Sequence, residues 1–438
     1  MNKDYSVWLK KGLDKGLSDI EVYATSSTKL TFVLYESKVE KNEISTMDVA
    51  LIKGIYNGKA AKVKVENFSE QNIDRMLDLL VDSASNITAP EPALIFEGSK
   101  DYEVVDETIF DFDSITPNDK IQMLIDIETG IKASKQLSKI ESVVYTETES
   151  KTVILNSKGL DLNKHYRYAM VYAMAVYKEG EQLKSSMSYQ MVKDYNDFNV
   201  TKLINDNIKD GVSQLGAKSI ASKSYPVVFS NEMFGSILAV FEGIFTGEAS
   251  FRKVTKLNGK ENTKIANEMI NLVDDPFTEH ALFKVPFDDE GVACHKRYLI
   301  EKGVFTGFMH NLKTAEIFKT KSTGNGFTSG ISSTNLLLEP TNTTLDELFS
   351  DIKEGIYITD LVGLHAGVES VSGDFSLQAS GFLIKDGKKD RPLEMLVVSG
   401  NFFKMLNDVN GIANDIHFGL YGVGSPSVKV KELTIAGE

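Results

Sequence analysis

The sequence predicts an α+β fold in two domains, an N-terminal α/β domain with an antiparallel sheet and helices, and a β-rich C-terminal domain. Three observations carry this. Runs such as IEVYATSS, KLTFVLYES and VALIKGIY alternate apolar and polar residues, the period-two signature of strands with one buried face. Between them stand segments with apolar residues at helical spacing, residues 69–86 and 200–215 among them. At 438 residues the chain also exceeds one ordinary core, since a domain usually takes about 100–200 residues. The small, polar run GAKSIASKSYP at 216–226 ends on a proline and marks the boundary, giving domains 1–220 and 221–438.

The chain opens with a short helix over residues 4–16, then strands. Asn57-Gly58 between apolar runs is a strong hairpin signal, because a type I′ turn needs positive φ at both central positions. Ser69 is placed to cap a helix whose Ile73, Met76, Leu77, Leu80 and Ala84 form one buried stripe, ending near Asn86. Ala89-Pro90-Glu91-Pro92 follows as a stiff connection that neither helix nor central strand tolerates. Thr116 as cap and Pro117 at the first helical position announce a second helix, and KIESVVYTETES and KTVILNSKGLDL follow as strands. The order of helix and strands repeats, with Tyr23 and Ser37-Lys38 in one copy and Tyr145 and Ser157-Lys158 in the other. It reads as an internal duplication of 1–88 and 116–215.

From His165 a strict alternation puts Tyr166, Tyr168, Met170, Tyr172, Met174 and Val176 on one face, extended by Met187, Tyr189 and Met191 on the next strand. This stripe is read as core beneath a helix over 200–215, where Ile204, Ile208, Val212 and Leu215 line up and Gly216 stops the chain. The alternative is an adaptable surface for peptide side chains. Beyond the boundary, Ser230 or Asn231 caps MFGSILAVFEGIF, a helix apolar nearly all round and therefore buried on most sides. From about residue 283 the chain is turn-rich β, with LDELF (345–349) and FFKMLNDV (402–409) as its helices and Lys385-Asp386-Gly387-Lys388 as a hairpin tip. Glycines recur densely between Gly355 and Gly400, as in strands bent or bulged around something.

Composition narrows the functional classes. Sixty-two acidic residues against 48 basic give a net charge of −14, the wrong sign for a nucleic-acid footprint. The opening MNKDYSVWLKKGLDKG has no apolar core of a signal peptide, and no run reaches the roughly 18 apolar residues of a spanning helix. A single cysteine, Cys294, makes no internal disulfide and fits a reducing compartment; a cytoplasmic location is expected. As a catalytic thiol Cys294 would need a base, and the adjacent His295 points to the opposite face of a strand.

The six histidines show no i, i+4 or i, i+5 pair, so no helix offers a two-histidine zinc edge. Asp274-Asp275 and Asp288-Asp289-Glu290 have the oxygens a hard cation wants, yet both flank prolines and turns, where aspartate serves local hydrogen bonds. Ser322-Thr323-Gly324-Asn325-Gly326 lacks the lysine of a phosphate loop. No G-x-S-x-G elbow occurs, and Ser372-Gly373-Asp374 and Gly424-Ser425-Pro426-Ser427 read as turns.

The segments LVDDPF, PFDDEGV, LIEKGVFTGFMHNLKTA, STGNGF, NLLLEP, EGIYITDLVGLHAGV, SGDFSLQASGFLIKDGK, VSGNFF and SPSVKVKELTIAGE together resemble the TldD/PmbA family, peptidase subunits formerly described as modulators of DNA gyrase. The resemblance extends over nearly the whole chain and implies a barrel-like C-terminal domain. In the TldD branch a helix carries H-E-x-x-x-H and, with a late cysteine, holds a catalytic zinc. Here the matching slot reads Ala239-Val240-Phe241-Glu242-Gly243-Ile244: Ala239 and Ile244 stand at the ligand positions, Val240 replaces the glutamate, and Glu242 is not offset to serve as base. The resemblance therefore implies the PmbA branch, also called TldE, with no catalytic residues and no metal of its own. Zinc is expected in a TldD-type partner.

The same resemblance implies a heterodimer with a TldD-type protein, or a homodimer, enclosing extended peptides, with no nucleic acid and no membrane involved. A bent sheet at 355–388 would let a peptide add to a strand edge. The groove candidates are Asn325, Gly326, His365, Gly367, Gly373, Asp374, Ser376 and Gln378, with turn geometry as the alternative for the glycines and Asp374. Two further readings stay open: a self-sufficient metal-dependent peptidase with a non-standard site, and a homodimeric peptide-binding scaffold.

Overall fold

A computed structural model describes residues 4–88, 91–105, 108–419 and 422–437; Ala89 and Pro90 of the expected stiff connection lie outside the described residues. The chain divides into two compact units, one comprising 1–100, 104–215 and 289–291, the other 101–103, 216–288 and 292–438.

The first unit is built on six long antiparallel strands, β1 (Asp19–Tyr35), β2 (Lys38–Tyr56), β3 (Lys59–Val65), β4 (Leu137–Asn156), β5 (Asp161–Glu179) and β6 (Gln182–Val192), in the order β3-β2-β1-β4-β5-β6. The Asn57-Gly58 hairpin forms with φ of 49° and 73°, as its turn type demands. A second hairpin, at Glu36-Ser37 with φ of 49° and 61°, joins β1 to β2. Neither residue commonly takes positive φ, which hid this turn from the sequence; the runs expected as separate strands are one, and residues 38–47 belong to β2. Ser37 and Ser157 both stand at turns, between β1 and β2 and between β4 and β5.

Among the described residues four α-helices accompany the sheet: α1 (Ser6–Asp14), α2 (Glu70–Ser85), α3 (Pro117–Lys132) and α4 (Val200–Ser213). The Ser69 hydroxyl accepts from the Asn72 N–H, and Ile73, Met76, Leu77, Leu80 and Ala84 are the buried stripe of α2. The Thr116 hydroxyl caps α3 through the Asp119 N–H, with Pro117 at its start. Both agree with the sequence.

The Tyr/Met stripe does not. On β5, Ala169, Val171, Ala173, Ala175 and Tyr177 pack with Leu203 of α4 and with Met123, Leu124, Ile127 and Ile131 of α3; of the expected stripe Val176 alone is buried. Tyr172, Met170 and Met174 point the other way, opposite Tyr189, Met191 and Met187 in register, and Met187 is 49 % exposed. Small residues face the helices because the helices come close: a Cβ on Gly211 of α4 would lie 2.0 Å from the Tyr177 ring. The Asn207 amide of α4 donates to the Ala173 carbonyl at 3.0 Å, and the Tyr177 hydroxyl donates to the Asn207 side-chain oxygen at 2.7 Å. Along β5 the covered face is thus filled mostly by alanine and valine, with Tyr177 the large side chain at its end.

In the second unit five strands close into a ring. Lys223–Phe229 lies parallel to Glu354–Val362 and antiparallel to Val428–Ala436; Lys388–Asn401 and Asp374–Lys385 complete the circuit back to Glu354–Val362. Closure needs tight corners, and register breaks at Ile358/Asp360 and Ala379/Gly381 supply them. At the seam a Cβ on Gly381 would sit 2.0 Å from the Tyr357 carbonyl oxygen, which only glycine accommodates. The glycine-rich strands thus bend around their own core, which includes Ile356, Ile358, Leu377, Leu396, Val398 and Val430. Their closure also leaves Asp374–Lys385 paired on both sides over most of its length, so it offers no long free edge for a peptide strand.

The helix α5 (Asn231–Phe241), capped by Ser230, buries Phe234, Ile237, Leu238 and Phe241 in the same core, and Phe241 stacks on Phe402 at 4.2 Å. A second sheet includes Leu272–Asp274, Arg297–Glu301, Leu336–Leu338 and Val423–Ser425; Gly424 and Ser425 are therefore strand residues rather than a turn. The expected short helices form as Leu345–Phe349 and Phe402–Asp408. The helix Leu312–Phe318, capped by Asn311, was not expected: at 7 residues it is too short for periodicity to reveal.

Candidate functional site

The slot that the family resemblance singles out lies where α5 ends. The α-helix stops at Phe241 and tightens into a 3₁₀ turn over Glu242–Phe245, so positions 239 and 244 do not stand on two successive α-turns. Ile244 is 2 % exposed and, with Ala239 packed against the same side chains, belongs to the core of the second unit. The turn is held by neighbouring backbone: the Met309 N–H donates to the Phe245 carbonyl at 2.9 Å, and the Gly247 N–H to the Met309 carbonyl at 2.7 Å.

Ala239, Val240 and Ile244 carry no atom that ligates a metal. Glu242 does, but its carboxylate accepts the Ser333 N–H; burial pushes this acid up from the ordinary carboxylate range, Asp274 adding to the effect and the Ser333 bonds opposing it. The donor set of the slot does not fit a catalytic zinc, which needs three protein ligands and an open position. Among the described residues no three His, Cys, Asp or Glu side chains gather as a metal site elsewhere.

Beside Glu242 is a buried polar network that joins segments the sequence showed only separately, the aspartates at 274 and 288 and the loop at 322–326. Asp274, 2 % exposed, accepts four hydrogen bonds: from the Thr334 N–H at 2.8 Å, the Thr334 hydroxyl, the Asn335 N–H at 3.1 Å and the Asn325 amide at 2.7 Å. Asn325 is fully buried and also donates to the Ser332 carbonyl at 2.9 Å, while its oxygen accepts from the Thr323 hydroxyl at 2.6 Å. The Gly326 N–H donates to Asp288 at 2.8 Å, and Asp288 also accepts from the Val292 N–H. These aspartates tie the 322–335 loop down. Asp275 accepts from the Phe277 N–H and lies near Lys296, and Asp289 pairs with Lys164 at 3.1 Å.

Arg297 and His310 border the network. Arg297 is the cross-strand neighbour of Asp274, and its Nη1 is buried without a hydrogen-bond partner. The His310 ring, 8 % exposed, lies 3.1 Å from the Thr314 hydroxyl through Nδ1, and burial holds its pKa down at about 4, Arg297 contributing. Cys294 is buried, its thiol donating to the Gly324 carbonyl at 3.1 Å, which gives it a packing role beside the same loop.

Of the remaining groove candidates, Asp374, Ser376 and Gln378 form one exposed row on the strand Asp374–Lys385. Asn401 donates to Asp374 at 2.8 Å, holding that carboxyl low with help from Ser372, and the Ser376 and Ser399 hydroxyls share a 3.0 Å bond. Gly367 adjoins the row: the Ser376 N–H donates to its carbonyl at 2.8 Å, and a Cβ on it would meet the Ser376 oxygen at 2.3 Å. His365 is exposed in the same turn, and Gly373 is buried with φ of 81°. The eight candidates thus fall into two sets, with Asn325 and Gly326 in the buried loop, and His365, Gly367, Asp374, Ser376 and Gln378 on the outside of the ring with Gly373 buried at the turn beside them.

Comparison with known proteins bears on this arrangement. Residues 222–437 match the PmbA/TldA metallopeptidase C-terminal domain, and 110–218 the PmbA/TldA metallopeptidase central domain. The chain is 25% identical over 429 residues to a metalloprotease PmbA homolog of Buchnera aphidicola, covering 96% of this chain and 93% of that one. Among solved structures it resembles a putative modulator of a DNA gyrase from Thermotoga maritima (TM-score 0.90, 25% identity, 98% and 99% of the two chains covered). It also resembles TldE from Thermococcus kodakarensis (TM-score 0.88, 21% identity, 99% of each chain), a likeness of fold.

Proposed function

Since the chain belongs to the PmbA/TldD metallopeptidase family, we propose that it is the TldE-type, non-hydrolytic subunit of a two-component peptidase. Its partner is a TldD-type chain that carries the zinc. The observation that carries this reading is the slot at the end of α5: aliphatic Ala239, Val240 and Ile244 where an ion would need donors, with the nearest carboxylate, Glu242, already bonded to Ser333. A buried aliphatic position cannot be turned into a ligand by a small rearrangement, and a metal-bound water has nothing here to hold it.

In this reading the subunit contributes enclosure and substrate contact. The exposed row Asp374, Ser376 and Gln378, with His365 and Gly367 beside it, is the groove segment proposed to face an extended peptide through side chains. Gly373 supports the turn beside it, while Asn325 and Gly326 serve the separate buried loop. The uncovered Tyr/Met face of β5 and β6 is a second, more adaptable contact for unfolded chains. Cytoplasmic peptides or unfolded proteins are the substrates this placement suits. Among the described residues no helix is long and apolar enough to cross a membrane.

The test is reconstitution. Mixed at micromolar concentration with a TldD-type protein, the chain is expected to co-elute as a stable complex in size-exclusion chromatography and to raise peptide hydrolysis above that of the partner alone. Separate elution with no change in activity refutes the proposal.

A further inference from the structure

The small, polar run that marks the domain boundary does more than connect. Within the second unit, Ala217, Lys218, Ser219 and Ile220 form one wall of an open cleft of about 500 Å³, and Arg391 and Met395 form the other. Lys218 is joined to Leu393 by an isolated parallel bridge, so the two walls are tied together through the backbone.

Two observations at this cleft have no account in the packing. The first is charge. The Arg391 guanidinium donates to the Lys218 carbonyl at 3.3 Å and to the Ser219 carbonyl at 3.2 Å. These bonds fix its plane and use two of its five donors, leaving the rest for another acceptor. Among the described residues neither Arg391 nor Lys218 forms an ion pair with a carboxylate, the neighbouring Asp390 and Glu394 included. In a chain where acids outnumber bases 62 to 48, two cations on one cleft without a counter-charge are a departure.

The second is backbone. Glu394 and Met395 stand opposite the single residue Ser380 in a β-bulge. Met395 takes φ of 56° there, the left-handed region in which such a bulge ordinarily carries glycine. Its side chain is 63 % exposed, so burial does not offset the strain. Bulges re-aim side chains, and this one puts a flexible thioether on the cleft beside the half-buried Ile220.

We propose that this cleft is a binding site for an organic carboxylate with an apolar neighbour, the chemistry of a peptide's C-terminal residue. Arg391 and Lys218 take the carboxylate, as charge-assisted hydrogen bonds favour, and Met395 and Ile220 take the apolar group. Because two carbonyls already hold the guanidinium, little conformational freedom is lost on binding. Only the choice of a peptide end as the ligand rests on the peptidase reading above.

The experiment uses the full chain and three probes: acetyl-Ala-Ala-Leu as the free acid, the same tripeptide as its C-terminal amide, and hexanoate. Affinity is read by isothermal titration, and the melting temperature is read without ligand. The acid is expected to bind the wild-type chain about tenfold or more tightly than the amide. Hexanoate bound as tightly as the acid tripeptide identifies a simple aliphatic acid as the source; the tripeptide ahead of hexanoate identifies a peptide end. Arg391→Gln is expected to abolish the acid preference, and Lys218→Ala, at an exposed position, to weaken the acid several-fold and leave the amide unchanged. Met395→Gly is expected to weaken the acid while raising the melting temperature, since glycine accepts this backbone without strain.

Equal binding of acid and amide by the wild-type chain, or no binding of either at millimolar concentration, overturns the site, and that comparison does not depend on any variant folding. So does an acid preference that survives unchanged in folded Lys218→Ala and Arg391→Gln. A chain without acid preference that nevertheless forms an active complex with a TldD-type partner loses the cleft and keeps the subunit assignment; a chain that prefers the acid but never associates does the reverse.

Discussion

Replacing Asp274 with alanine removes one side chain and strands four donors. The Thr334 and Asn335 N–H groups, the Thr334 hydroxyl and the Asn325 amide all point at its two oxygens, and the residue is 2 % exposed. Each buried donor left without an acceptor costs about 1–3 kcal/mol. If water reaches half of them, roughly 2–6 kcal/mol is lost, offset in part because the carboxylate no longer has to be desolvated. The loss is local, so hydrogen exchange is the suitable assay. Amides of residues 325–336 are expected to exchange on the order of 100-fold faster in Asp274→Ala, the factor that about 3 kcal/mol implies. Asp274→Asn keeps the shape but turns an amide NH2 toward donors, and should fall between the wild-type chain and the alanine variant. Protection of 325–336 unchanged in the alanine variant would refute the claim that this carboxylate organises the loop.

Other consequences follow from geometry alone. Gly381→Ala places a Cβ 2.0 Å from the Tyr357 oxygen at the seam of the ring, where backbone meets backbone, and should cost about 3 kcal/mol or more in thermal melts; Gly243→Ala, with nothing within 4 Å, should be near neutral. In the first unit Glu147 accepts from Lys120 at 2.7 Å and from Arg167, with Lys120 and Glu147 both buried, so Glu147→Gln leaves the buried Lys120 short of a counter-charge while Arg167 keeps Asp113, and should cost roughly 3 kcal/mol, whereas Lys202→Ala, breaking an exposed helical pair, should change urea midpoints hardly at all. His310, held at about 4 against an ordinary 6.5, resists protonation in the folded state; stability is full above 6.5 and is lost as the pH falls toward 4. His310→Gln should flatten that acid-side slope in melting temperature measured against pH. Glu242, raised by burial, works in the opposite sense, contributing below its ordinary value and losing that contribution as the pH rises.

What could be read from the residues depended on how local the deciding interaction was. The cap and stripe of α2, Thr116-Pro117 at α3 and the Asn57-Gly58 turn were legible because each is settled within a few neighbouring residues. The Tyr/Met stripe was misassigned because alternation fixes which residues share a face and says nothing about which face a helix covers. Gly211 against Tyr177 decides that, through a contact distant in sequence. The same holds for the glycines at 355–388, which were expected to bend strands around something and in fact close a ring around its own apolar side chains. Asn325 could be picked from its motif, but its burial against Asp274 depends on a pairing 51 residues away. Arg297 left only a faint trace, a charged residue entering the apolar run YLIE, and its unpartnered nitrogen becomes visible only when the loop that captures Asp274 is in place.

The assignment as a non-hydrolytic subunit is tested most directly by measuring zinc content and chelator-sensitive peptide turnover on the purified chain alone, then after mixing with a TldD-type partner. Far less than one zinc per chain and no turnover alone, with turnover appearing in the mixture, is the predicted result. One tightly held zinc per chain together with chelator-sensitive hydrolysis by the isolated protein would contradict it.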